Sequence, residues 1–309
     1  MRVIVIEGGT GVGKTALGVH LAERFNGEIV GADSRQIYRE MEIGTAKPTA
    51  EERARIPHHL LDLVTPDQTL TLTEYQALAV ESLTAIHTRG KLPLLVGGTG
   101  QYITAVLEGW QAPEVAPNPA LRAELEAFVA EMGYEALYAR LTALDPGVIG
   151  LVDPRNLRRV IRALEVCIIS GQPFSAQRRR DPPKWEVLEV CLTMDRAALD
   201  LRTDSRIDQM MDSGLLEEVR ALLTHYDPKL PSMSGLGYAQ LGDFIRGEIT
   251  LEAAIQLFKA DTRAFTRRQY TWFRKHGQPR WIDVTTTPTH AIINEVAAWL
   301  EESPHVPSA

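Results

Sequence analysis

The 309-residue chain is 44% hydrophobic and 24% charged with a net charge of −7, the make-up of an ordinary folded protein rather than of a disordered or uniformly basic one. At roughly 100–200 residues per domain this length predicts two lobes. The two cysteines, Cys167 and Cys191, form no Cys-x-x-Cys pair, which argues against a disulfide framework or a zinc site.

In chain order, residues 2–6 read as a short buried strand entering GGTGVGKT (8–15). Ala16 to Phe25 follows with Leu17, Leu21 and Phe25 at helical spacing. Ile29-Val30 reads as a second short strand ending at Gly31-Ala32-Asp33, Leu72 to Thr88 as a helix, and Leu92 to Val96 as a third strand ending in GGTG (97–100). This alternation predicts an α/β fold with a P-loop NTPase-like parallel sheet flanked by helices, and ligands at the carboxyl ends of the strands.

The prolines of APEVAPNP (112–119) break the rhythm. Pro119 to Leu144 then reads as an amphipathic helical pair with Leu121, Leu125, Phe128 and Met132 on one stripe, and Asn156 to Ser170 as a helix closed by Gly171. Residues 113–184 are therefore expected to form an all-helical insertion domain within a core of 1–112 and 185–309. Val187 to Met194 is the next strand, followed by long helices including Asp208 to His225 and Leu251 to Lys275, a strand at Arg280 to Val284, a final helix and a polar tail from Ser303 expected to fray. No run of about 18 apolar residues is present to span a bilayer. The N-terminus is not read as a signal peptide, so a cytoplasmic protein is expected.

Gly8, Gly9, Thr10, Gly11, Val12, Gly13, Lys14 and Thr15 make a phosphate cradle. The glycines let N–H groups converge on phosphate oxygens, Lys14 adds charge, and Thr15 offers a hydroxyl to a phosphate-bound Mg2+. The pattern alone leaves kinase, ATPase and transferase open. Motors hold their metal's water shell with a carboxylate at a strand end, yet LPLLV ends in glycines. Asp33 opens the polar stretch DSRQIYR, suited either to touching a second substrate or to capping a following helix.

Two segments are basic. Arg155, Arg158, Arg159 and Arg162 share one helix, with Arg178-Arg179-Arg180 in the next loop. RAFTRRQYTWFRK (263–275) mixes Arg263, Arg267, Arg268, Arg274 and Lys275 with Phe265, Tyr270, Trp272 and Phe273. Cations beside flat rings suit the phosphates and unstacked bases of single-stranded RNA. The same residues also fit a solvated helix face over a core.

Eight segments in order, GGTGVGKT, DSRQIYREMEIGTAKP (33–48), PHHLLD (57–62), GGTGQY (97–102), RRVIRALEV (158–166), SRIDQMMDSGL (205–215), GLGYAQL (235–241) and TRAFTRRQYTWFR (262–274), resemble the tRNA dimethylallyltransferases, also called tRNA isopentenyltransferases. The resemblance runs from Gly8 to about Asp283. It implies transfer of a five-carbon prenyl group from dimethylallyl diphosphate to N6 of the adenosine 3′-adjacent to the anticodon, with diphosphate leaving as an intact fragment. It further implies that Lys14, Mg2+ at Thr15 and Arg206 face the departing diphosphate, that Thr10 donates to the bridging oxygen, and that Asp33 takes the proton of the amine.

The tRNA contacts carried over are Asp33, Ser34, Arg35, Gln36, Thr99, Arg158, Arg159, Val160, Ile161 and Arg162, with Arg122 in the insertion and Gln269 and Arg274 on the anticodon side. The implied partners are the tRNA anticodon stem-loop and dimethylallyl diphosphate, with no membrane and a monomeric state. Gly9 stands where the family commonly has Pro, and the zinc-finger extension of many eukaryotic relatives is missing, so a bacterial type is implied. Two rivals remain. An adenylate isopentenyltransferase would not need the arginine-aromatic segments beyond residue 150, and a small-molecule or nucleoside kinase would place ATP in the loop.

Overall fold

The computed structural model describes residues 1–111, 113, 115–177 and 179–302. Its elements are β1 (Arg2–Gly8), α1 (Lys14–Arg24), β2 (Gly27–Gly31), α2 (Ala50–Arg55), β3 (His58–His59), α3 (Leu72–Thr88), β4 (Leu92–Val96), α4 (Gly100–Glu108) and β5 (Trp110–Gln111). They continue with α5 (Pro119–Leu144), α6 (Leu157–Ser170), β6 (Arg179–Arg180), β7 (Glu186–Thr193), α7 (Arg196–Asp212), α8 (Leu215–His225), α9 (Tyr238–Ile245), α10 (Leu251–Lys275), β8 (Arg280–Asp283) and α11 (Thr289–Glu301). Two compact units result: Met1–Leu107 with the chain from Lys184 onward, and Glu108–Pro183.

The first unit holds a six-stranded sheet in the order β3-β2-β4-β1-β7-β8. Every pair in it is parallel, with Ile4 opposite Leu94 on one side of β1 and opposite Leu188 on the other. A parallel sheet covered on both faces needs strands without polar alternation, which is what Val3-Ile4-Val5-Ile6 supplies. Ile4 and Ile6 pack with Leu17 and Leu21 of α1 and Val296 of α11, while Val3 and Val5 pack with Tyr75 and Leu83 of α3 and Phe273 of α10. The chain adds β2 and β4 on one side of β1 and β7 and β8 on the other, so the carboxyl end of β1 is a switch point of the kind where α/β sheets bind ligands. The loops after β1, β2 and β4 meet at that edge.

A third cluster joins residues 37–41 to α8, α9 and α10 through Ile37, Met41, Leu215, Tyr238 and Phe258. The helix expected over 208–225 is two helices, because Gly214 between α7 and α8 takes φ 97° and ends the run. No described helix is long and apolar enough to cross a membrane.

The second unit packs α5 against α6 through Leu125, Leu137, Leu141, Val160 and Leu164. It is helical apart from the antiparallel pair β5–β6. Gly133, at φ 83° and ψ 167°, breaks α5 and turns Met132 off its stripe: Met132 is 58% exposed, against the expectation that it faces the core. Both cysteines are buried free thiols. Arg178 and the tail from Ser303 lie outside the described residues.

Candidate functional site

The site grows from the end of β1. The chain leaves the strand through a loop in which Gly11 (φ 83°) and Gly13 (φ 109°) take left-handed conformations that side chains resist. Gly13 is the N-cap of α1 and brings no side-chain cap, and no acid lies in the first turn. The helix start therefore keeps unsatisfied N–H groups and the positive end of its dipole, an anion site in waiting. Lys14 Nζ donates to Gly8 O (3.0 Å) and Gly9 O (2.9 Å), folding back over the loop. Burial lowers its pKa to about 8, with Asp33 opposing that drop and Arg206 adding to it.

The loop after β2 brings Asp33 into this field. Its Oδ1 accepts from Arg35 N (2.9 Å), capping a turn. The helix that Asp33 was expected to cap as an alternative role does not exist, since the next one, α2, begins at Ala50 under its own Thr49 cap. Ser34 N donates to Thr99 Oγ1 (2.9 Å) and Thr99 N to Ala32 O (3.0 Å), so the loops after β2 and β4 are tied together. Arg35 Nη1 donates to Pro231 O (2.8 Å), tying this loop to the segment before α9, and Gln36 Nε2 donates to Ala46 O (3.1 Å) within its own stretch.

Helix α7 forms the facing wall. Leu199, Thr203 and Ile207 anchor it, and one turn apart on it stand Arg202 and Arg206. A Cβ built at Gly11 would lie 3.0 Å from Thr203 Oγ1, and one at Gly13 would lie 3.7 Å from Arg202 Nη2. Burial, then repulsion from Arg202, hold Arg206 below its ordinary pKa, while Asp33 pulls the other way. Arg202 escaped the sequence reading; its i, i+4 spacing from Arg206 is the signal that finds it. Arg206 also walls an open cavity of about 490 Å3 whose other cations, Lys47 and Arg53, are each paired with Glu42 and Asp62.

Gln269 of α10 enters from behind. Expected on the anticodon side, it is 6% exposed and accepts from both Thr10 N (2.9 Å) and Thr10 Oγ1 (3.1 Å), while its Nε2 donates to Gly98 O (2.8 Å). Thr10, Lys14, Asp33, Thr99, Arg206 and Gln269 thus belong to one assembly. Three rings of α10 serve the core: Phe273 is buried, Tyr270 OH donates to Leu192 O (3.2 Å), and Trp272 Nε1 donates to Thr104 Oγ1 (3.1 Å), whereas Phe265 is half-buried with Arg268 over its ring. Arg263 is paired with Asp204 (2.7 Å), and exposed Arg274 lies over Trp281.

The second unit groups its own arginines. Glu165, wholly buried on α6, accepts from Arg122 Nη2 (2.8 Å), Arg162 Nη1 (2.5 Å) and Asn118 N (2.7 Å). Burial would raise its pKa; the hydrogen bonds outweigh that and bring it to about 2. The side chains of Val160 and Ile161, carried over as tRNA contacts, are buried in the core of this unit, which leaves only their backbone to meet RNA. Arg158 is exposed, and Arg159 is half-buried with Nε unpartnered among the described residues.

Residues 36–276 match the model of the family described as IPP transferase. A tRNA dimethylallyltransferase of Roseiflexus sp. is 53% identical over 276 residues, covering 88% of this chain and 90% of its own. One from Chloroflexus aurantiacus is 50% identical over 293 residues, covering 92% and 99%. The crystal structure of a full-length tRNA isopentenylpyrophosphate transferase from Bacillus halodurans is 38% identical with a TM-score of 0.73, covering 97% of each chain. A eukaryotic dimethylallyltransferase described as acting on tRNA is 27% identical with a TM-score of 0.84, covering 98% of this chain and 80% of that one.

Proposed function

This chain belongs to the IPP transferase family, and on that premise we propose that it transfers a dimethylallyl group from dimethylallyl diphosphate to N6 of the adenosine 3′-adjacent to the anticodon of tRNA, releasing diphosphate. The observation that carries this reading is the meeting of two opposite chemistries at one edge of the sheet. An uncapped helix start with Lys14 can receive a diphosphate, and Asp33 stands on the neighbouring loop within the electrostatic reach of both Lys14 and Arg206.

In the reaction, the C1–O bond of the donor breaks, its electron pair leaving with the diphosphate, and a bond forms between N6 and C1. The proton of N6 passes to Asp33, which first orients an amine whose lone pair is delocalised into the ring. A base so positioned is worth roughly 10²–10⁴-fold. The loop N–H groups, Lys14, Arg206 and Arg202 face the charge gathering on the diphosphate, and Thr10 donates to its bridging oxygen.

Among the described residues no trio of acid, histidine or cysteine side chains could hold a metal, so the donor set fits an ion carried mainly by phosphate and water, with the hydroxyl of Thr15 as protein ligand. Mg2+ held there would neutralise charge on the leaving group. For tRNA, exposed Arg158 and half-buried Arg159 are the proposed phosphate contacts of α6, with the 33–36 loop and Thr99 at the acceptor base. Arg122 and Arg162 come second, since Glu165 already occupies them.

The test is incubation with dimethylallyl diphosphate, Mg2+ and either unmodified tRNA or AMP, then digestion and mass analysis. N6-prenyl adenosine from tRNA alone is expected. Product from AMP alone would reassign the acceptor to a free nucleotide, and phosphate transfer from ATP without prenylation would make the protein a kinase.

A further inference from the structure

We propose that Gln269 is a positioning residue that aims the Thr10 hydroxyl and locks the donor loop to the acceptor loop. The inference rests on the function proposed above. Its basis is the doubled use of one buried amide. Gln269 Oε1 takes both protons that Thr10 offers, at 2.9 and 3.1 Å, and Nε2 gives one of its own to Gly98 O at 2.8 Å. An acceptor facing the phosphate loop and a donor facing the GGTG loop are both required, and a primary amide of this length presents the two from one side chain. Glutamate cannot donate to Gly98 O, and methionine, of similar shape, can make neither strong bond.

The two loops bear the two halves of the reaction. Thr10 is the donor-side hydroxyl. Gly98 precedes Thr99, whose Oγ1 accepts Ser34 N, one residue from Asp33. A path of hydrogen bonds, joined by the backbone of Gly98-Thr99 and of Asp33-Ser34, therefore runs from Thr10 through Gln269 to Asp33. The backbone makes room for it, since a Cβ at Gly98 would stand 2.5 Å from Gln269 Nε2.

A hydroxyl has one proton. In the structure it is given to Gln269 Oε1; during turnover it goes to the bridging oxygen of the diphosphate. The Thr10 N–H bond to Gln269 can persist through that exchange, so the hydroxyl turns about a backbone that stays fixed. Without Gln269 the backbone loses that fixed point and the hydroxyl its starting orientation.

The experiment is steady-state prenylation of unmodified tRNA by the full-length wild type and by Thr10→Val, Gln269→Met and the double variant, with melting curves to confirm folding. Gln269→Met is expected to lower kcat roughly 10- to 100-fold by misplacing a reacting group. KM for dimethylallyl diphosphate should stay within about threefold, because within the cradle Gln269 hydrogen-bonds Thr10 while Lys14 is held by the carbonyls of Gly8 and Gly9. The double variant should lose less than the product of the two single losses, since the hydroxyl that Gln269 aims is already missing from Thr10→Val. Losses that multiply, or wild-type kcat in Gln269→Met, would overturn the proposal. Should Gln269→Met fail to fold, Gly98→Ala reaches the same contact from the other side and must show the same loss of kcat and the same non-additivity with Thr10→Val; its failure to do so counts against the proposal equally. Wild-type protein that does not prenylate tRNA would instead refute the function, and an active wild type with multiplying losses refutes only the role of Gln269.

Discussion

Among the described residues three glutamates are buried, Glu7 and Glu28 in the first unit and Glu165 in the second, and Glu7 and Glu165 have opposite fates. Glu165 in the second unit is wholly buried and collects Arg122, Arg162 and a backbone N–H, so it is a fixed anion with a pKa near 2. Glu7 in the first unit is 2% exposed, its Oε1 has no hydrogen-bond partner among the described residues, and burial, reinforced by Glu189, pushes its pKa to about 9. Burial disfavours the charged form wherever guanidinium groups do not compensate for it. The difference teaches how to read arginine clusters. In the second unit two arginines are consumed by the fold, whereas Arg202 and Arg206, beside the 8–15 loop, form no ion pair among the described residues.

The largest way to test that contrast is Arg206→Ala, which should lower kcat/KM for prenylation by roughly 10²–10³, the usual cost of removing one group aimed at developing negative charge. Unchanged kinetics would place Arg206 outside the site. Glu165→Gln should destabilise the second unit by about 3 kcal/mol in denaturant melts by leaving two arginines without their anion, while prenyl-donor KM stays put. A stability loss below about 0.5 kcal/mol would make the cluster an ordinary surface pair.

Glu7→Gln separates the two acids by pH. The folded chain keeps a proton on Glu7 that the unfolded chain releases near pH 4.5, so native stability should fall as pH rises from about 4.5 to about 9. The substitution should flatten that limb of a melting-temperature profile, and an unaltered profile would mean that Glu7 is charged in the fold. The smallest effect expected is on RNA. Arg158→Ala should reduce the salt slope of tRNA binding by about one, without moving the melting temperature.

Much of the first unit was legible because its signals are local. The bounds of α3, β4 and α10 follow from apolar periodicity and flanking glycine or cap residues, and GGTGVGKT declares its own geometry. Where a single residue overrides the period, the reading failed: Gly214 divides a helix read as one, and Gly133 exposes Met132. The role of Gln269 was illegible for a different reason. Its partners lie 259 and 171 residues away in sequence, so no window along the chain holds the pattern. The rings of α10 left two readings open because cation-and-aromatic composition looks the same whether the rings meet bases or a core. Only packing distinguishes the two.

Glu218 of α8 accepts three consecutive backbone amides, from Glu42 (3.0 Å), Ile43 (2.8 Å) and Gly44 (3.2 Å), and the hydroxyl of Tyr238 (2.6 Å). The stretch it grips continues the Asp33 loop and has no helix or strand of its own before α2. Its conformational freedom was surrendered when the chain folded, so an incoming substrate need not freeze it and loses less affinity to ordering. A stretch held in this way is stiff, and a stiff surface can reject an ill-fitting shape without making any hydrogen bond of its own.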